Sequence, residues 1–176
     1  LHELREKLSA KDIRQATIEN LGQRYVVDTY HANNVCTTLQ WLYARLETTW
    51  QFNDPELLTS LLWAAQLHEV GLTINSSGLH KHSAYIIANT QLPGFTQEQQ
   101  RLLVVLIRFY RKKIKLKEMP EFIHLPSHTL YRLIALFRLA TLLNRKRQGA
   151  IKIPCTMNTK ADALHLHFQD KWLEQN

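Results

Sequence analysis

The sequence predicts a mainly α-helical bundle carrying a small C-terminal β-hairpin. Three observations lead there. Apolar residues recur at three- and four-residue steps from Lys11 to Gly149. Only five glycines and five prolines interrupt 176 residues. After Gly149 the apolar period falls to two.

The elements follow in order. A first helix over 11–24 presents Ile13, Ile18 and Leu21 on one stripe, with Ser9 as its cap. A second, over 28–49, carries Val35, Leu39, Leu42 and Leu46. Asp54-Pro55 opens the third, because Asp caps a helix and Pro is tolerated at its first position. Its face of Leu58, Leu61, Leu62, Ala65 and Leu67 runs into His68-Glu69-Val70-Gly71, where the glycine stops it. Residues 72–79 read as a turn centred on Asn75-Ser76-Ser77-Gly78, and a short helix follows over 81–89. Thr96 and Gln99 have the spacing of a capping box, opening a helix through Leu102, Leu103, Leu106 and Phe109. Ser127 starts the most apolar helix, whose core face is Leu130, Leu133, Ile134, Phe137, Ala140 and Leu143, with Gly149 as its end. The hairpin alternates Ile151, Ile153, Cys155 and Met157 against Leu164, Leu166 and Phe168, across a turn at 158–162.

A hydrophobic fraction of 45% against 21% charged residues is enough for a real core and excludes a disordered chain. Cys36 and Cys155 form no metal-type spacing and read as reduced thiols of a cytoplasmic protein. The longest apolar runs, such as 102–107, are too short to span a bilayer. No phosphate-loop, dinucleotide or esterase-elbow motif is present. The chain opens at Leu1 without a Met, which suggests a piece of a longer protein.

Charge is the second guide to function. The formal net charge is +7, and Arg108, Arg111, Lys112, Lys113, Lys115 and Lys117 fall together without an acidic residue between them. Arg145, Lys146 and Arg147 make a second cluster, and Lys81 stands between His80 and His82. Clustered cations concentrate polyanions, so phosphate-rich partners are expected, although such a run also serves as an ordinary solvated face. Gly78 and the helix start at Lys81 offer free amides to a phosphate oxygen. The basic run lacks interleaved aromatic residues, which argues against a reader of single-stranded nucleic acid.

Nine histidines are more than this composition calls for. His31 on one helix and His68-Glu69 at the end of the next trace the outline of an HD-type metal site, in which imidazoles and carboxylates hold a divalent ion that activates water. Two positions depart from that outline. Glu69 replaces the usual Asp, and Asn144 stands where a later helix would supply an Asp ligand. Asn is a neutral and weaker ligand, and Arg145, Lys146 and Arg147 behind it repel a cation. The four positions are therefore expected to be a vestigial HD set holding no metal, on an HD-domain-like helical bundle.

Several ordered motifs resemble the C-terminal domain of the Ppx/GppA family of exopolyphosphatases and guanosine pentaphosphate phosphohydrolases. They are Asp12 to Ile18 followed by Arg24-Tyr25-Val26-Val27-Asp28, the stretch LWAAQLHEVG over 62–71, GLHKHSAYII over 78–87, Leu92-Pro93-Gly94-Phe95, and LATLLNRKR over 139–147. The resemblance implies three segments: 1–10 as the tail of a preceding catalytic domain or a linker, 11–149 as the HD-like domain, and 150–176 as the hairpin appendage. It also implies actin-like ATPase-fold catalytic domains, holding Mg²⁺, outside this chain. This domain would have no catalytic residue or cofactor of its own, would bind inorganic polyphosphate beside those domains, and would contribute to a homodimer. Lys81, His82, Arg111, Lys112, Lys113, Arg145, Lys146 and Arg147 are the phosphate contacts carried over.

The main expectation is thus the polyphosphate-binding domain of an exopolyphosphatase. The first alternative is the same domain of a guanosine pentaphosphate (pppGpp) 5′-phosphohydrolase. Outside that class stand an autonomous HD-type metal-dependent phosphohydrolase and a regulatory module contacting nucleic acid.

Overall fold

The computed structural model describes residues 2–147, 155–160 and 163–168, with side chains from residue 13 onward. Six helices make the body: α1 (His2–Arg24), α2 (Thr29–Leu46), α3 (Glu56–Leu67), α4 (Leu79–Ala88), α5 (Gln97–Phe109) and α6 (Ser127–Leu143). Strands β1 (Cys155–Lys160) and β2 (Ala163–Phe168) pair antiparallel. The mainly helical class with a terminal hairpin is what the periodicity implied.

Local chemistry places most boundaries. Asp28 caps α2 by accepting from the His31 amide at 3.0 Å. Thr96 and Gln99 form the capping box of α5, each side chain bonding the other's backbone amide. Asp54 accepts from the Glu56 amide at 2.9 Å and so helps to start α3.

Some boundaries moved. α1 begins at His2 rather than near Lys11, so Ser9 lies inside the helix; no Pro or Gly in 2–10 interrupts it. Ile13, expected on the apolar stripe, is 45% exposed, while Ile18 and Leu21 are buried. α2 stops at Leu46, and a tight turn brings the Phe52 amide back to the Glu47 carbonyl. α6 ends at Leu143, earlier than expected, because the Asn144 side chain folds back onto the Ala140 carbonyl at 2.8 Å. Gly149, Ile151 and Ile153 lie outside the described residues. Asn158, Thr159 and Lys160 belong to β1 rather than to the turn, since Lys160 pairs with Ala163.

The core runs through the bundle's middle. α3 packs between α2 and α5, and α6 closes against α2, α3 and α5. Val35, Leu39, Leu42, Leu61, Leu103, Leu106, Ile107, Phe109 and Phe137 are essentially inaccessible. Trp50 and Trp63 belong to this core, and Trp63 packs edge-on to Phe95 and donates its indole N–H to Gln15 at 2.9 Å. Met157 and Leu164 seat the hairpin's apolar face against the body. Among the described residues, no helix is long and apolar enough to cross a membrane.

Candidate functional site: a cation-lined cleft over two buried histidines

The helices leave a cleft of about 710 Å³ between α2, the end of α3, α6 and the segment after α5. Its floor is polar and buried. His31 comes from the first turn of α2, and His68 and Glu69 from the residues just past α3. All three are 6% exposed or less, and His31 continues the buried face that Val35, Leu39 and Leu42 form on α2.

A short relay fixes this floor. The Ser83 hydroxyl of α4 donates to the His68 carbonyl at 2.7 Å and accepts from the Gly71 amide at 2.9 Å. The turn bearing His68 and Glu69 is thereby stapled to α4. The His68 ring stacks edge-on to Tyr110 and Phe137, and its Nδ1 donates to the Ala65 carbonyl at 2.6 Å. A carbonyl can only accept, so this contact places the ring proton on Nδ1 and leaves the Nε2 lone pair free. His31 Nε2 lies 4.0 Å from Glu69 Oε1.

The rim is cationic. Arg111, Lys112, Arg145 and Arg147 all line the cleft, joined by Arg138 from α6. Arg138 donates through Nη1 to the carbonyls of Phe109 and Lys112, at 2.9 and 2.8 Å. That clamp holds the turn after α5, where Lys112 adopts a left-handed backbone with φ 65°. Arg147 spans two acids, bonding Glu69 Oε1 through one nitrogen and Asp28 Oδ2 through the other at 3.1 Å. The amide hydrogen bond from His31, with Arg147 beside it, holds Asp28 below the usual carboxylate range.

The structure therefore gathers half of the phosphate contacts expected from sequence and leaves the rest elsewhere. Lys81, His82, Lys113 and Lys146 do not line this cleft. The His82 ring meets the Ser77 carbonyl at 3.0 Å. At the α4 start, the amides of Leu79, Lys81 and His82 already donate to the Ser76 and Gly78 carbonyls, so the three are spent within the turn. Of the four positions expected as a vestigial HD set, His31, His68 and Glu69 converge, with one ligand atom of each within 4.8 Å of the others. Asn144 does not line the cleft: it is buried, and its amide donates to Thr38 Oγ1 and to the Ala140 carbonyl. Arg138 and Tyr110 were missed, because each sits in an ordinary helical pattern that only packing turns toward the cleft.

Burial favours the neutral form of His31, His68 and His80. Burial pushes the His68 pKa down to about 4. His80 falls to about 4 as well, through burial and then the neighbouring Arg108 and Arg111. Below the ordinary histidine value of about 6.5 the unfolded chain takes up protons on these rings, and on His31, whose pKa burial also lowers, that the fold resists. Stability is therefore expected to fall as the pH drops from about 6.5 to about 4, each ring contributing up to about 1.4 kcal/mol per pH unit. Urea midpoints at pH 7.5, 6 and 5 check this; a midpoint unchanged across them contradicts neutral burial.

This is a helical domain defined by a cation-rimmed cleft over a buried His-His-Glu floor. Residues 13–176 match the family model described as Ppx/GppA phosphatase, domain III. The chain belongs to the Ppx/GppA phosphatase family, and it corresponds to that third domain. It is 32% identical over its whole length to the guanosine-5′-triphosphate,3′-diphosphate pyrophosphatase of Pseudoalteromonas translucida, covering 35% of that protein. The same-named proteins of Vibrio cholerae and Photobacterium profundum are 33% and 31% identical, again over the whole chain and 35% of their own length. The chain thus spans about a third of the length of these curated relatives.

Proposed function

We propose that this chain is the anion-binding C-terminal domain of a hydrolase acting on guanosine 5′-triphosphate 3′-diphosphate, and that its cleft holds phosphate groups of that substrate. The observation that carries the reading is the convergence of Arg111, Lys112, Arg138, Arg145 and Arg147 on one cleft. Guanidinium groups match phosphate oxygens in pairs and stay charged at any working pH. The family's phosphatase description supports hydrolysis of phosphate esters or anhydrides, and the relatives' names support this nucleotide in particular. The chemistry itself belongs, on this reading, to parts of the full protein outside this chain, and the domain contributes binding and orientation.

Inorganic polyphosphate is the second reading, favoured by the cations that continue beyond the cleft through Lys113, Lys115 and Lys117. The compactness of the cleft argues for the nucleotide, whose phosphates are grouped at two points of one small molecule.

Calorimetric titration of the chain with pppGpp, GTP and polyphosphates of graded length separates the two. The expected result is that pppGpp binds at least about tenfold tighter than GTP, since one added charge-assisted contact of roughly 1.5 kcal/mol suffices. Affinity should fall as salt rises. Equal affinity for GTP and pppGpp would defeat the nucleotide reading. Affinity climbing steadily with polyphosphate length, beyond that for pppGpp, would favour the polymer.

A further inference from the structure

We infer that Arg147 is a built-in cation of the His31–His68–Glu69 pocket, holding the place of a divalent metal ion, and that removing its guanidinium turns the pocket into a transition-metal site. The inference stands apart from the phosphate reading and does not depend on it.

The donor set comes first. Two imidazoles and one carboxylate, each offering an atom within 4.8 Å of the others, suit a borderline metal such as Zn²⁺ or Co²⁺. Ligand atoms around such an ion lie about 3.4 Å apart when each is about 2.1 Å from the metal, so modest side-chain rotation closes the set. His68 is already oriented as a ligand, because its Nδ1 is committed to the Ala65 carbonyl and its Nε2 is left free. His31 Nδ1 and Glu69 Oε2 are buried and have no hydrogen-bond partner. Buried polar atoms of a native fold are usually satisfied, and two unsatisfied ones in a single pocket mark a place built around a missing contact.

Arg147 explains why the pocket is stable without such a contact. A carboxylate as buried as Glu69 needs a positive charge beside it. The Arg147 guanidinium supplies that charge at Glu69 Oε1 and is steadied by Asp28. Its backbone is left-handed, with φ 54°, a conformation that a non-glycine residue keeps when its surroundings hold it there. A divalent ion and the guanidinium cannot share Glu69, since both would claim the one buried carboxylate and repel each other. Asn144 completes the exchange: the side chain that would add a second carboxylate is instead an amide tied to Thr38 and Ala140. An HD-type metal centre therefore does not fit the residues present while Arg147 is in place.

The test is a Co²⁺ titration of the full chain, followed by visible absorption and by thermal unfolding. Arg147→Gln keeps a donor for Glu69 and removes the charge; Arg147→Ala removes both. Either variant should bind one Co²⁺ at least about tenfold more tightly than the unaltered chain, the scale on which partners of metal ligands act. Bound Co²⁺ should raise the unfolding temperature of the variants and leave that of the unaltered chain nearly where it was. Adding His31→Ala to Arg147→Gln should abolish the gain. If a variant is unfolded without metal, its refolding on Co²⁺ addition supports the inference and a failure to refold overturns it. Binding no tighter than in the unaltered chain also overturns it. So does a gain that survives His31→Ala, which would trace to surface histidines such as His165 and His167 on β2.

Discussion

Gly71→Ala is expected to destabilise the fold by more than about 3 kcal/mol, the upper range for a side chain forced into a filled space. An added Cβ would sit 2.5 Å from the Ser83 backbone nitrogen and 2.8 Å from both His82 Cβ and Ser83 Oγ. The nearest obstacle is the main chain of α4 rather than the end of a flexible side chain, so relief requires the helix to move. Such movement breaks the relay from the Gly71 amide through Ser83 to the His68 carbonyl. It therefore also displaces the turn that bears Glu69. Gly22→Ala is the control: nothing lies within 4 Å of its added Cβ, in the last turn of α1. There alanine should be neutral or stabilising by up to about 1 kcal/mol. Denaturant unfolding of both variants makes the comparison. A Gly71→Ala variant within about 1 kcal/mol of the parent would show that the α4 contact is looser than the geometry states.

Replacing Arg111, Lys112 and Arg145 together by alanine is expected to lower affinity for pppGpp about a hundredfold. Each removes a cation from the cleft rim. At a solvent-facing rim each is worth about 1 kcal/mol, so three together reach two decades. Arg147 is left in place because it pairs with Glu69, and its loss would confound binding with stability. The matched control neutralises Lys113, Lys115 and Lys117, which lie in the same stretch of sequence and do not line the cleft. The net charge falls by three in both variants. Equal losses in the two would mean that overall charge, rather than the cleft, attracts the nucleotide. The titration reads both, with far-UV circular dichroism to establish that helicity is unchanged.

The helices were legible because their signals are local. The Asp54 start of α3, the Thr96–Gln99 capping box and the stripe from Leu130 to Ala140 each depend on residues within a few positions of one another. Boundaries failed where a remote group intervened. α6 was expected to reach Gly149, yet Asn144 ends it by bonding Ala140 and also Thr38, far back in α2. The hairpin's turn is shorter than its polar residues suggested, because cross-strand pairing carries Asn158 and Lys160 into β1.

The candidate site divides along the same line. Residue types alone singled out His31, His68 and Glu69 and the two basic clusters, since a His-Glu step at a helix end and a run of cations are visible without coordinates. Nothing in the order of residues distinguishes Arg111 and Lys112, which reach the cleft, from Lys113, which does not. That sorting follows from the left-handed turn at Lys112 and from the Arg138 clamp reaching over from α6.

The sequence by itself determined a helical bundle, the Thr96–Gln99 capping box, its cationic character and its resemblance to the Ppx/GppA family, because periodicity and capping are near-neighbour properties of the chain. Only the tertiary structure decided that Arg147 lies on Glu69 and Asp28, that Asn144 turns away to Thr38, and that half of the expected cations share one cleft. Those contacts join residues on different helices. They exist because core packing brings the ends of α2, α3 and α6 together, and a buried carboxylate there must find a positive charge.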